Sequence, residues 1–104
     1  MKLKIDVTNV AFMVTGAPEA KEYDGKQQTE KDTGALKWVT QLLALEKGEN
    51  GQGEIIRVVT AGEMPKLAQL QPVTPVDLEA IPWNQNGKSG VAYRAAAIKP
   101  QSAK

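Results

Sequence analysis

Apolar and polar residues alternate with a period of two in several stretches of this chain, which is the pattern of strands rather than helices. Residues 2–14 read as one long first strand, with Leu3, Ile5 and Val7 on odd positions and then Val10, Phe12 and Val14 on even ones. A change of phase in such a pattern predicts a bulge or bend near Thr8-Asn9. A strongly bent first strand suits a small closed sheet, because it serves both halves. Residues 15–34 lose the alternation and carry the turn formers Gly16, Pro18, Asp24-Gly25 and Thr33-Gly34. They predict a long loop or flexible hairpin, of a length often tied to function.

Residues 35–46 carry two patterns at once. Trp38, Leu42 and Leu45 have nearly helical spacing, yet Leu36, Trp38, Thr40, Leu42 and Ala44 also alternate on one face. The Gly-rich stretch 47–53 leads straight into Glu54-Ile55-Ile56-Arg57-Val58-Val59-Thr60, a β-branched strand. That sequel favours a strand hairpin over a helix. In residues 62–70, the early Pro65 and the three-residue spacing of Leu67 and Leu70 predict a short helix or helical turn, closed by Pro72 and Pro75. Residues 76–83 alternate again and end at Pro82, a mark of a strand's end or edge. Residues 84–90, containing Asn86-Gly87, predict a turn, and 91–98 a last strand.

The length, 104 residues, suits one domain over 1–100 with a loose tail at 101–104. There is no Cys and no His, so disulfides, thiol nucleophiles, imidazole or thiolate metal sites and His-based acid–base chemistry are excluded. The chain is therefore expected not to be an enzyme, and no cofactor or metal is expected. Asp77 and Glu79 share a predicted strand face, but they lack the third carboxylate that a divalent ion needs. No apolar run approaches the roughly 20 residues that cross a bilayer. The opening Met1-Lys2-Leu3-Lys4-Ile5-Asp6 alternates like a strand and has no signal-peptide pattern, so the expected location is the cytoplasm, away from any membrane. Net charge is only +1, from 13 basic and 12 acidic residues, yet Gly87 to Lys104 holds Lys88, Arg94, Lys99 and Lys104 and no acid.

The predicted order is a bent strand, a long loop, a strand hairpin, a short helical insert and a second hairpin. That is the order of an all-β, five-stranded OB-type barrel with a short helix between its third and fourth strands. The basic first strand Lys2-Leu3-Lys4-Ile5, the last hairpin from Pro82-Trp83-Asn84 to Gly90-Val91-Ala92-Tyr93-Arg94 and the ending Ala95-Ala96-Ala97-Ile98-Lys99-Pro100 carry a whole-chain resemblance. The chain resembles the small single-stranded DNA-binding proteins of filamentous phages and plasmids. The resemblance implies binding of single strands without strong sequence preference, with RNA as an alternative to DNA. It also implies cooperative coating or protection of strands in replication or transfer, and a homodimer. The chain departs from the phage pattern in having fewer Arg and Tyr and a more acidic first loop.

Single strands are held by a basic groove that tracks phosphates and by aromatic faces that stack bases. In OB barrels this groove crosses the second and third strands between two flanking loops. Mapped onto this chain, it would use Lys37, Trp38 and Arg57 on the strands, with Val39 and Gln41 beside them. Lys21, Tyr23, Lys26 and Lys31 lie on one flanking loop, and Trp83, Lys88, Tyr93 and Arg94 on the other. Phe12 lies on the core phase. Trp38 shares a face with Leu36 and Leu42, which favours the core, whereas Trp83 shares one with Asp77 and Glu79, which favours exposure. Tyr93 and Arg94 must point to opposite faces of a strand. Tyr93 is favoured outward, with Arg94 at the core rim paired with a carboxylate, and the opposite assignment stays open. A protein–protein module on the same barrel is the competing function, with an apolar patch around Val39, Leu43, Ile81 and Trp83 as its signature.

Overall fold

A computed structural model describes residues 3–23, 25–47 and 51–100. Residues 2, 24, 48–50 and the expected tail at 101–104, together with the side chain of Tyr23, lie outside the described residues. All regular structure among the described residues is β. The strands are β1 (Leu3–Lys4), β2 (Val10–Ala20), β3 (Glu22–Tyr23), β4 (Lys26–Gln27), β5 (Lys37–Glu46), β6 (Gly53–Ala61), β7 (Pro72–Val76), β8 (Glu79–Gln85), β9 (Lys88–Arg94) and β10 (Ala97–Pro100). Eight of them form one sheet in the order β1-β8-β9-β6-β5-β2-β7-β10, and β3 and β4 pair separately.

The sheet curls on itself into a barrel-like form, and the chain between β9 and β10 draws its sides together. β9 runs parallel to β6, with Tyr93 beside Val58 and Arg94 beside Val59. The Ala95 N–H then donates to the Val59 carbonyl at 3.0 Å, and the next N–H, of Ala96, donates to Val76 at 2.8 Å. One step of chain therefore passes from β6 to β7. β10 pairs with β7, and β7 with β2 at Phe12 and Met13.

Alternation decides what lies inside. Leu42 on β5 and Ile56 and Val58 on β6 point inward, while their neighbours Gln41, Ile55 and Arg57 are exposed. Phe12, Val14, Val73, Leu78, Ala95 and Ile98 complete the buried core. The inward rows also bury Thr40 and Thr60, whose hydroxyls have no hydrogen-bond partner. At the far end, β8 and β9 form a hairpin closed by Asn86-Gly87, with φ of 53° and 76°. Positive φ at both central residues is what a two-residue turn of the right-handed hairpin twist requires, and Asn-Gly adopts it at low cost.

Several sequence expectations are corrected. The sheet has eight strands rather than five, and residues 62–70 form no helix. The end of that segment is tied to β2 instead: Leu70 N–H donates to Val14 O at 2.7 Å and Val14 N–H to Gln71 O at 3.0 Å. Only a few residues separate Pro65 from Leu70, whose φ of 68° is left-handed, and so short a stretch does not repay helix nucleation. The expected bend at Thr8-Asn9 is a full break. Asp6 accepts hydrogen bonds from the N–H and hydroxyl of Thr8, and β1 leaves to pair with β8. Part of the expected loop at 15–34 is strand, since β2 runs to Ala20 with register irregularities on either side of Gly16. The stretch 76–83 is broken at Asp77, with φ of 53°, so Asp77 and Glu79 do not share a strand.

Candidate functional site

The outward row of β5 and β6 pairs Lys37 with Ala61, Val39 with Val59, Gln41 with Arg57 and Leu43 with Ile55. Two features wall this surface. On one side stands the segment between β2 and β5, folded by the β3–β4 pair and a bridge between Thr29 and Leu36. On the other stands the β8–β9 hairpin. Between them runs a groove with two recesses of about 520 and 530 Å³. The recesses are continuous, because Lys21, Val59, Ala92 and Tyr93 line both.

The first recess holds the groove's exposed indole. Trp83 lines it together with Val39, Ile55, Arg57 and Val91. In the hairpin register, Trp83 stands opposite Gly90. A Cβ on Gly90 would lie 2.7 Å from Cζ2 and 2.9 Å from Cε2 of the indole, so only glycine lets the ring lie against the neighbouring strand. Trp83 stays 45 % exposed. One face of the ring is thus supported while much of the side chain remains accessible. Arg57 is exposed and has no ion-pair partner among the described residues.

The second recess is mixed in charge. Arg94 lines it with Lys37, Glu30 and Asp32. Arg94 Nη2 lies 3.5 Å from Glu30 Oε1, and Nε lies 3.9 Å from Glu79 Oε1. This pairing ties the β8–β9 hairpin to the segment between β2 and β5. It also matches the expectation that Arg94 meets a carboxylate, although the meeting takes place on the groove side.

The remaining predicted site residues divide. Lys37 heads β5 at the groove's edge, and Lys26 is exposed on β4 beside it. Lys88 shares the hairpin face of Trp83 by register but sits at the tip and lines neither recess. Trp38 belongs to the inward row with Thr40 and Leu42, and its indole N–H donates to Gly62 O at 2.9 Å. It pegs the chain leaving β6 and does not line the groove. Tyr93, favoured outward, is half-buried against the core and also lines both recesses of the groove. Ile55 and the supporting Gly90 escaped sequence reasoning. Gly90 was findable: counting back from a two-residue Asn86-Gly87 turn sets it opposite Trp83. Among the described residues no group of three or more carboxylates is placed to hold a metal ion.

No protein-family model matches the chain, and no curated protein or solved structure matches it.

Proposed function

We propose that this chain is an OB-type domain that binds single-stranded DNA in the groove across β5 and β6, largely without regard to sequence. The observation that carries the reading is Trp83: an exposed indole backed by Gly90, beside an unpaired Arg57, over an apolar floor of Val39, Val59 and Ile55. An unpaired base stacked on such a ring contributes about 1–3 kcal/mol and needs no particular base identity. Arg57 and Lys37 lie where phosphates would pass, and each phosphate they neutralise releases a counterion.

The strand order supports the OB-type barrel. β2 pairs with β5, β5 with β6, β6 in parallel with β9, and the continuation of β9 with β7, which returns to β2. In OB barrels the second and third strands and two flanking loops bind oligonucleotides. Here the corresponding parts are β5, β6, the segment between β2 and β5, and the β8–β9 hairpin. β1 and the length of the hairpin are additions to that plan, and irregular chain stands where a helix was expected.

The test is a fluorescence titration with an oligo-dT strand at low and at moderate salt. Binding that quenches Trp83, weakens with salt and is lost in Trp83→Ala supports the reading. No binding at low salt overturns it. One observation favours a second reading, a protein-interaction surface. Leu45, Ile55, Trp83 and Val91 are 43–52 % exposed on or beside the same face, and exposed apolar clusters mark partner sites. Under that reading Trp83→Ala abolishes capture of a protein partner and oligo-dT has no effect.

A further inference from the structure

A third recess, of about 390 Å³, lies on the outer side of the segment between β2 and β5. Its lining is Lys26, Gln27, Gln28, Thr29, Lys31 and Lys37, three cations and no acid. Backbone pairing sets them there. The chain after β4 is bound to the head of β5, with Lys37 N–H donating to Gln28 O and Gln27 Nε2 to Lys37 O, both at 2.9 Å. A tight turn, closed by Gly34 N–H to Glu30 O at 2.9 Å, brings Lys31 back beside them. None of the three lysines has an ion-pair partner among the described residues.

Like charges gathered around one recess repel one another, and a ligand of several negative charges relieves that repulsion. Two acids flank Lys31 in sequence; Asp32 lines the second recess of the groove together with Lys37, and so does Glu30. Glu30 also meets Arg94 across the fold. Arg94 thus engages one of the two carboxylates beside Lys31.

We infer that Lys26, Lys31 and Lys37 form a site for a phosphate chain, and that the Arg94–Glu30 pair holds one flanking carboxylate on the groove side. The ligand chemistry is a run of linked phosphates, supplied by a nucleic-acid backbone or by free polyphosphate. The nucleic-acid source rests on the function proposed above. It would carry a strand from Trp83 along Lys37 onto this loop, rather than over the hairpin tip and Lys88. Arg94 acts here as a positioning residue and does not touch the ligand.

The experiment titrates the full chain with tripolyphosphate by calorimetry and with oligo-dT at several salt concentrations. Tripolyphosphate is expected to bind, with Lys26→Ala, Lys31→Ala and Lys37→Ala each weakening it about fivefold. Each variant should also lower the salt slope of oligo-dT binding by about 0.7, the value for one single-strand phosphate contact. Lys99→Ala, on β10, serves as the control. Arg94→Gln should weaken tripolyphosphate binding when Glu30 is present and leave it unchanged in a Glu30→Gln background, whereas simple loss of one positive charge weakens it equally in both. Oligo-dT binding that quenches Trp83 but ignores all three lysines overturns this inference and leaves the single-strand reading standing. Tripolyphosphate bound through the lysines with no oligo-dT binding assigns the site to free polyphosphate and refutes the single-strand reading. Failure of both ligands overturns both.

Discussion

Replacing Gly90 by Ala tests the placement of Trp83 directly. The new Cβ would stand 2.7 Å from Cζ2, 2.9 Å from Cε2 and 3.2 Å from Nε1 of the indole. Carbon atoms rest about 3.5–4.0 Å apart, so the ring must retreat by about 1 Å or swing off the hairpin. The backbone itself accepts the change, because Gly90 is not among the glycines with positive φ. Taken alone, Gly→Ala at a compatible position stabilises by about 0.4–1 kcal/mol through the unfolded chain. Against this stands the lost packing of the indole. Trp83 is 45 % exposed, so just over half its surface is covered. If a Trp offers on the order of 200 Å² and half of its covered part is exposed again, the loss at about 25 cal/mol per Å² is about 1.4 kcal/mol. The expected net effect is a small destabilisation of about 0.5–1 kcal/mol, with a red shift of the Trp83 emission. Urea melts measure the first. The second is read as the difference between spectra with and without Trp83→Phe, which removes the signal of Trp38. A stabilised variant with unchanged emission would refute the placement of the ring on Gly90, and with it the supported stacking surface.

Other changes have equally definite outcomes. Thr40→Val and Thr60→Val each remove a buried hydroxyl without a partner and should raise stability in denaturant melts by about 1 kcal/mol; a loss instead would mean that these hydroxyls are bonded in solution. Leu42→Ala empties a fully buried position facing Val14 on the neighbouring strand and should cost about 2–5 kcal/mol. Arg57→Ala should weaken oligo-dT binding and lower its salt slope by about 0.7 without lowering the melting temperature. The hydroxyl and N–H of Thr8 hold the Asp6 carboxyl below its ordinary pKa. The stability this adds is present above the unfolded-state pKa and lost as pH falls through the lower folded-state value. The gap in melting temperature between the chain and its Asp6→Asn variant should therefore close in that acid window.

Particular residues show how far the sequence could be read. The β5–β6 hairpin was legible because the Gly-rich stretch 47–53 leads straight into the β-branched run 54–60, which packs well on a pleated sheet. Asn86-Gly87 was legible because few residue pairs take two positive φ values in succession. The faces of Tyr93 and Arg94 were not, since Ala92, Ala95, Ala96 and Ala97 around them offer little contrast between inside and outside. The helical spacing of Leu67 and Leu70 misled, because Val14, the β2 partner that ties down Leu70 and Gln71, lies far away in sequence.

By itself, then, the sequence determined the β character of the chain, the inward rows, the hairpin turn and the chemistry left once Cys and His are absent. These depend on local propensity and on period, which neighbouring residues carry. Only the tertiary structure decided that residues 95–96 step from β6 to β7 and curl the sheet, that Tyr93 faces the core, and that Arg94 meets Glu30 across the fold. Each of these joins groups distant along the chain or turns on which face a side chain takes. Their energies exist only after the barrel has closed and set those surfaces side by side.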